Sequence, residues 1–351
     1  MKQLSTKHLL YFKNSKLMDE IEDESIDLVV TSPPYPMIEM WDDLFCMLNP
    51  KIKINLEKND GKSAHDLMLN ELNKTWIEIA RVLKTGGIVC INIGDATRKI
   101  GKNFQIFSNH SKIINQFESL NFIILPEILW RKQSTKPNKF MGSGTLPTSA
   151  YVTQEHEFIL IFRKGEPRNF KSKDENRYNS AYFWEERNIW FSDIWMDLKG
   201  INQKLNHNDL RERSAAFPFE LAYRLINMYS IQGDTVLDPF LGTGTTSFAA
   251  IASCRNSFGY ETDSNFQALI DERIENINTF SNDCTKERIK NHLDFIKKRE
   301  LMEKEIKYIS NEYGFKVMTK QEVEIILYQI KHIKKLEDLN GFEVSYSKFE
   351  F

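Results

Sequence analysis

One segment constrains the fold of this 351-residue chain more than any other: VLDPFLGTGTTSFAAIASCRNSFGYE, residues 236–261. A short apolar run ends at Asp238-Pro239-Phe240. The turn Gly242-Thr243-Gly244 follows, then an apolar stretch at helical spacing from Thr245 to Ala252, then a second run from Ser257 to Tyr260. This predicts a strand, a glycine turn, a helix and a second strand, the unit from which parallel sheets are built. Glycines let the backbone approach a ligand closely, and an acid about 20 positions later, here Glu261, accepts hydrogen bonds from both hydroxyls of a ribose. The pattern predicts a nucleoside-cofactor site. No lysine follows the second glycine, which disfavours a phosphate-cradling ATPase loop, and the third glycine of a dinucleotide fingerprint is missing.

The remaining pattern supports an α/β chain. Ile26 to Thr31 is an apolar, β-branched run cut short by Pro33-Pro34, so it reads as a buried strand ending in an extended loop. Leu72, Trp76, Ile79, Ala80 and Leu83 predict a helix over 70–83, which Lys84-Thr85-Gly86-Gly87 stops before a strand from Ile88 to Ile93. A helix over 113–120 and strands over 122–130 and 157–163 follow, the last two placed as antiparallel neighbours. Periodicity is lost from Lys164 to Arg213, where aromatics mix with basic and polar residues, and the segment reads as an inserted, loop-rich region. A helix is expected over 218–229 and a short strand over 235–237. Residues 265–335 read as mostly helical, with Ile325, Ile326, Ile330 and Ile333 at helix-like spacing.

The loop Thr31-Ser32-Pro33-Pro34-Tyr35 suits one chemical problem. The exocyclic amine of cytosine or adenine is a poor nucleophile because its lone pair is delocalised into the ring. Acceptors at Ser32 Oγ and the Pro33 carbonyl draw on the amino hydrogens and aim that lone pair at a methyl donor. The prolines hold the geometry, and Tyr35 is placed to stack on the extruded base.

TSPPY and DPFLGTGTT, joined by VLKTGGIVCINIGD and AAFPFELAYRLI, resemble the beta class of amino-group DNA methyltransferases, typical of bacterial restriction-modification systems, from roughly Asp27 to Arg273. The resemblance implies a permuted Rossmann-like S-adenosylmethionine-dependent methyltransferase fold, since the catalytic loop lies about two hundred residues before the cofactor loop. It divides the chain into a catalytic half (1–163), a target-recognition region (164–213), a cofactor-binding half (214–280) and a helical C-terminal extension (281–351). It further implies that Asp238, Pro239, Phe240, Gly242, Gly244 and Thr245 surround the methionine part of S-adenosylmethionine, that Glu261 holds the ribose, and that Phe217 and Pro218 border the same pocket. Asn14-Ser15 stands where the class often has Asp-Ser near the adenine ring, with Asn14 assigned to adenine. Arg213 stands where a histidine often precedes Phe-Pro, and is assigned to the cofactor carboxylate. Within the class, serine before Pro-Pro-Tyr is associated mainly with cytosine N4 and aspartate or asparagine mainly with adenine N6, so Ser32 favours cytosine in double-stranded DNA. A cognate restriction endonuclease is implied as a functional partner. An N6-adenine DNA methyltransferase is the first alternative, and a methyltransferase of RNA or a small molecule and a catalytically silent DNA-binding regulator remain as others.

Composition restricts the rest. The formal net charge is −2, so DNA contact has to come from local clusters: Arg131, Lys132, Lys136 and Lys139, then Arg168, Lys171 and Lys173. The four cysteines lack metal-ligand spacing, no Pro-Cys pair supports attack at cytosine C5, and no metal is required because a sulfonium methyl group is already activated. No stretch approaches the roughly 20 apolar residues of a membrane span, and a cytoplasmic setting is expected.

Overall fold

A computed structural model describes residues 4–132, 142–199, 217–337 and 339–350. The strands are β1 (Ser5–Tyr11), β2 (Ile26–Thr31), β3 (Leu83–Ile93), β4 (Ala96–Ile100), β5 (Asn103–Phe107), β6 (Phe122–Arg131), β7 (His156–Lys164), β8 (Ile194–Trp195), β9 (Thr235–Asp238), β10 (Asn256–Tyr260), β11 (Tyr308–Ile309), β12 (Lys316–Val317), β13 (Tyr328–Lys335) and β14 (Gly341–Lys348). The helices are α1 (Asp42–Leu48), α2 (Lys51–Glu57), α3 (Gly61–Val82), α4 (Asn109–Ser119), α5 (Glu175–Asn179), α6 (Trp184–Trp190), α7 (Phe219–Tyr229), α8 (Thr245–Ala252), α9 (Phe266–Glu275) and α10 (Ile277–Leu301).

Ten strands form one sheet in the order β13-β14-β1-β10-β9-β2-β3-β7-β6-β8. The central five, β1, β10, β9, β2 and β3, run parallel, and β7 and β14 turn against them on either side. Helices cover both faces, which is why β2 is buried at every residue and reads as an unbroken apolar run. Val29 faces a core made with Met68, Leu72, Trp76 and Ile79 of α3 and with Phe117 of α4. Leu28 and Val30 face the opposite core, with Leu221, Leu225 and Ile226 of α7 and Ala249 and Ala250 of α8. Helix α3 begins nine positions earlier than its apolar spacing suggested, because the Asp60 side chain accepts from Ser63 N at 3.0 Å and caps it there.

The chain's end differs from the helical extension expected. Helix α10 forms, but β13 and β14 then make an antiparallel hairpin that joins the main sheet by pairing β14 with β1. Ile330 and Ile333 look helical in sequence because a bulge between Ile330 and His332 puts two residues of odd separation on one side. Both pack against the core that holds Phe342, Val344 and Tyr346. Strand β1 completes this part of the sheet and was not foreseen in the sequence.

The segment of lost periodicity is loop-rich where it is described: loops and the short helices α5 and α6 carry residues 165–193 along the sheet, and of the segment's aromatics Tyr182, Phe183, Trp190 and Trp195 belong to or pack against cores. Phe183, Trp190 and Trp195 are buried, Trp190 and Trp195 against α7. No helix of the described residues is long and apolar enough to cross a membrane.

Candidate active site

Strands β2 and β9 are neighbours, yet the chain leaves β2 toward β3 and leaves β9 toward β10. A crevice opens at the carboxyl ends of parallel strands where the order diverges in this way. The loop after β2 is Ser32-Pro33-Pro34-Tyr35, and the loop after β9 is Pro239 to Gly244, so the two motifs, far apart in sequence, meet across one strand spacing. Asp238 fastens them. Its Oδ1 accepts from Thr31 Oγ1 at 2.6 Å and from Phe240 N at 3.0 Å, while Oδ2 accepts from Thr246 Oγ1 at 2.6 Å. Burial pushes its carboxyl up to about 6 against the pull of these donors.

A cavity of about 690 Å³ lies between the loops. It is lined by Asn14, Ser15 and Lys16 after β1, by Ser32, Pro33 and Pro34, by Asp238 to Thr243 and Thr245, by Phe217, and by Glu261 at the end of β10. Glu261 Oε2 accepts from Gly242 N at 2.8 Å and Oε1 from Asp263 N at 2.9 Å, and burial raises the carboxyl above its ordinary value. Gly242 and Gly244 both take positive φ, 53° and 84°. A Cβ on Gly242 would meet nothing within 4 Å, whereas one on Gly244 would press on Ile270 and Phe248 at 3.2 Å. Gly244 therefore serves packing behind the loop; neither it nor Pro218, which caps α7, lines the cavity.

Tyr35 also departs from expectation. Its ring is only 9% exposed, does not line the cavity, and lies against Gly94, where an added Cβ would stand 3.0 Å from Tyr35 Cε2. Its hydroxyl accepts from Ser32 Oγ at 3.2 Å and Asn92 Nδ2 at 2.9 Å and donates to Glu157 Oε2 at 3.0 Å. Burial and the Glu157 carboxylate hold the phenol well above its usual value, so it stays protonated. Stacking on a base would require the ring to leave this network. Asn109 steadies the loop from the other side, donating to the carbonyls of Pro36 and Gly94 at 3.1 and 2.9 Å.

Of the basic residues, Arg131 and Lys132 lie at the site's edge, at the end of β6; Arg131 pairs with Glu155 at 3.0 Å and Lys132 with Glu157. Arg168, Lys171 and Lys173 do not come to the site. Strand β7 runs antiparallel to β3 and delivers them to the opposite edge, where Arg168 pairs with Asp234 at 2.6 Å beside a second cavity of about 580 Å³. Lys136, Lys139 and Arg213 lie outside the described residues. Sequence reasoning missed Leu44, Phe45 and Leu48 of α1 and Glu71 and Thr75 of α3, which also line the cavity. No motif marks them; they reach it through the packing of α1 and α3 over the loop.

Residues 26–272 match the DNA methylase family of N6/N4 methyltransferases. The chain belongs to that family. The methylase is 57% identical over 348 residues to the Type II methyltransferase M.MthZI of Methanothermobacter thermautotrophicus, covering 98% of this chain and 96% of that protein. It is 55% identical over 282 residues to the Type II methyltransferase M.MjaI of Methanocaldococcus jannaschii, covering 77% and 92%. Among solved structures it resembles TTHA0409, a putative DNA modification methylase from Thermus thermophilus complexed with S-adenosyl-L-methionine, with TM-score 0.60, 29% identity and coverage of 77% and 94%. The PvuII cytosine-N4-specific DNA methyltransferase shares the fold, with TM-score 0.51 at 19% identity over 79% and 93% of the two chains.

The methylase is thus an S-adenosylmethionine-dependent DNA amino-methyltransferase with the α/β fold of that class. The cavity fits the cofactor: the Glu261 carboxylate has two acceptor oxygens for a ribose, the Asn14 amide lies on the same wall, and Gly242 leaves its backbone open to the ligand. Among the described residues no cluster of three or more His, Cys, Asp or Glu is placed to hold a metal.

Proposed function

We propose that this methylase transfers a methyl group to cytosine N4 in double-stranded DNA, with the target base rotated out of the helix, as the protecting enzyme of a Type II restriction-modification system in the cytoplasm. The observation that carries the reading is the placement of Ser32-Pro33-Pro34 on the wall of the cofactor cavity, one strand away from the Gly242 loop.

S-adenosylmethionine supplies an electrophilic methyl group on a sulfonium. The chain supplies orientation. Ser32 Oγ commits its hydrogen to Tyr35, which leaves its lone pairs to accept from an amino hydrogen in the cavity. The Pro33 carbonyl is the second acceptor, and the Asp238–Thr31 hydrogen bond fixes the strand end from which both project. Glu261 and Asn14 hold the nucleoside part of the cofactor. The preference for cytosine rests on serine at position 32. The similarity to two Type II methyltransferases supports the restriction-modification role.

Incubation with tritiated S-adenosylmethionine and mixed-sequence duplex DNA, followed by digestion and chromatography, tests this. Label on N4-methylcytosine is expected. Label on N6-methyladenine would keep the chemistry and overturn the choice of base, and label appearing only with RNA would overturn the substrate class.

A further inference from the structure

Behind Ser32 the buried polar groups form one directed hydrogen-bond chain. Ser32 Oγ donates to Tyr35 Oη at 3.2 Å, and Tyr35 Oη donates to Glu157 Oε2 at 3.0 Å. The direction is enforced. The Glu157 carboxylate only accepts, so Tyr35 spends its one hydrogen there and Ser32 has to donate to Tyr35 Oη, while Asn92 Nδ2 donates to both Tyr35 Oη (2.9 Å) and Glu157 Oε2 (2.7 Å). Lys132, partly exposed at the end of β6, holds Glu157 Oε1. Asn92 Oδ1 has no hydrogen-bond partner among the described residues.

Resting on the amine-methylation reading, we infer that Glu157 is the terminal proton acceptor of a relay that runs from the target amine through Ser32 Oγ and Tyr35 Oη. When the methyl group is transferred, the C–S bond breaks with its electron pair left on sulfur. The N–C bond forms from the amine's lone pair, and the nitrogen becomes cationic with one proton in excess. That proton passes to Ser32 Oγ as the serine's own proton passes to Tyr35 Oη and the tyrosine's to Glu157 Oε2. The carboxylate becomes a neutral acid, and Lys132 marks the side from which water recovers the proton. Glu157 and Tyr35 touch neither substrate nor cofactor in this scheme; they act through Ser32 as positioning and relay residues.

The charged and titratable groups around Glu157 are Lys132, Tyr35, its strand neighbour His156, and the Asp95–His110 pair beyond Gly94, where His110 stacks on Phe158 at 4.0 Å. His110 is raised above its usual value by its hydrogen bond to Asp95, and its titration is common to the parent and the test variants.

The test is single-turnover methylation of duplex DNA against pH, with S-adenosylmethionine affinity by calorimetry and melting temperature as independent readouts. Glu157→Gln keeps the side chain's volume and an acceptor but cannot take a proton. It is expected to lower the rate by about 10²-fold, the scale of general-base catalysis, and to lose an acid limb that the parent shows, with cofactor affinity within about twofold. Tyr35→Phe removes one hydroxyl, breaks the relay, and carries the test should Glu157→Gln melt early; the double variant is expected to be no slower than either single one, as for groups acting as a unit. Parental rate and pH profile in Glu157→Gln, or additive losses in the double variant, overturn the relay while leaving amine methylation intact. A parent that labels no exocyclic amine removes the amine-methylation reading and the relay together.

Discussion

Asp238 and Glu261 carry the acidic chemistry of the cofactor loop, and their surroundings assign them different work. Glu261 lines the cavity and accepts backbone donors from Gly242 and Asp263, the geometry of a carboxylate held ready for hydroxyl donors. Glu261→Ala is expected to raise the dissociation constant for S-adenosylmethionine roughly 10- to 100-fold, since a hydrogen bond to a charged group is worth about 1.5–3 kcal/mol; calorimetry that found parental affinity would remove it from the ribose site. Asp238 is turned inward to Thr31 and Thr246 and acts on the fold. Its folded value of about 6 lies above the ordinary value of 3.8, so between those values the folded chain binds a proton that the unfolded chain has released. Its contribution favours folding at low pH and is withdrawn as pH rises through about 6. The stability difference between the parent and Asp238→Asn, read from denaturant midpoints, is expected to change across pH 4–6 and level off above; a difference independent of pH would refute the assignment.

Among the elements, the C-terminal hairpin does more than extend the sheet. Strand β14 covers the edge of β1 that would otherwise present unpaired backbone groups. Tyr346 then locks it to the cofactor half: its hydroxyl bonds Thr6 Oγ1 at 2.9 Å and the Ile251 carbonyl at the end of α8, also at 2.9 Å. Tyr346→Phe removes one of two donors to that carbonyl, which keeps Cys254 N at 3.2 Å, and is expected to cost about 0.5–1.5 kcal/mol of unfolding free energy, measured by chemical denaturation, with cofactor affinity little changed. A loss below about 0.5 kcal/mol would show that water replaces the hydroxyl.

On the scale of the whole molecule, the sheet sorts the basic residues by edge. Lys171 and Lys173 lie at the amino ends of the central strands and Arg131 at the carboxyl ends, beside the site. The double variant Lys171→Ala/Lys173→Ala is expected to bind duplex DNA within about twofold of the parent. Arg131→Ala is expected to weaken binding across sequences and reduce the slope of log affinity against log salt by about 1. Fluorescence anisotropy across a salt series checks both, and the reverse pattern would place DNA on the opposite edge.

The sequence by itself determined the local chemistry. Gly242-Thr243-Gly244 with Glu261, and Ser32-Pro33-Pro34-Tyr35 at a strand end, are short patterns whose meaning depends on backbone freedom and side-chain type within a few residues, and α8, β2, β9 and β10 follow from apolar runs punctuated by glycine and proline. The tertiary structure decided what depends on distant partners. It set Tyr35 under Gly94 with Glu157 and Asn92, made Gly244 a packing residue, carried Arg168, Lys171 and Lys173 to the far edge, and turned the helical-looking spacing of Ile330 and Ile333 into a bulged strand. The physical reason is common to all four: burial, edge and face are properties of the sheet, and no window of sequence contains the residues from other strands and helices that create them.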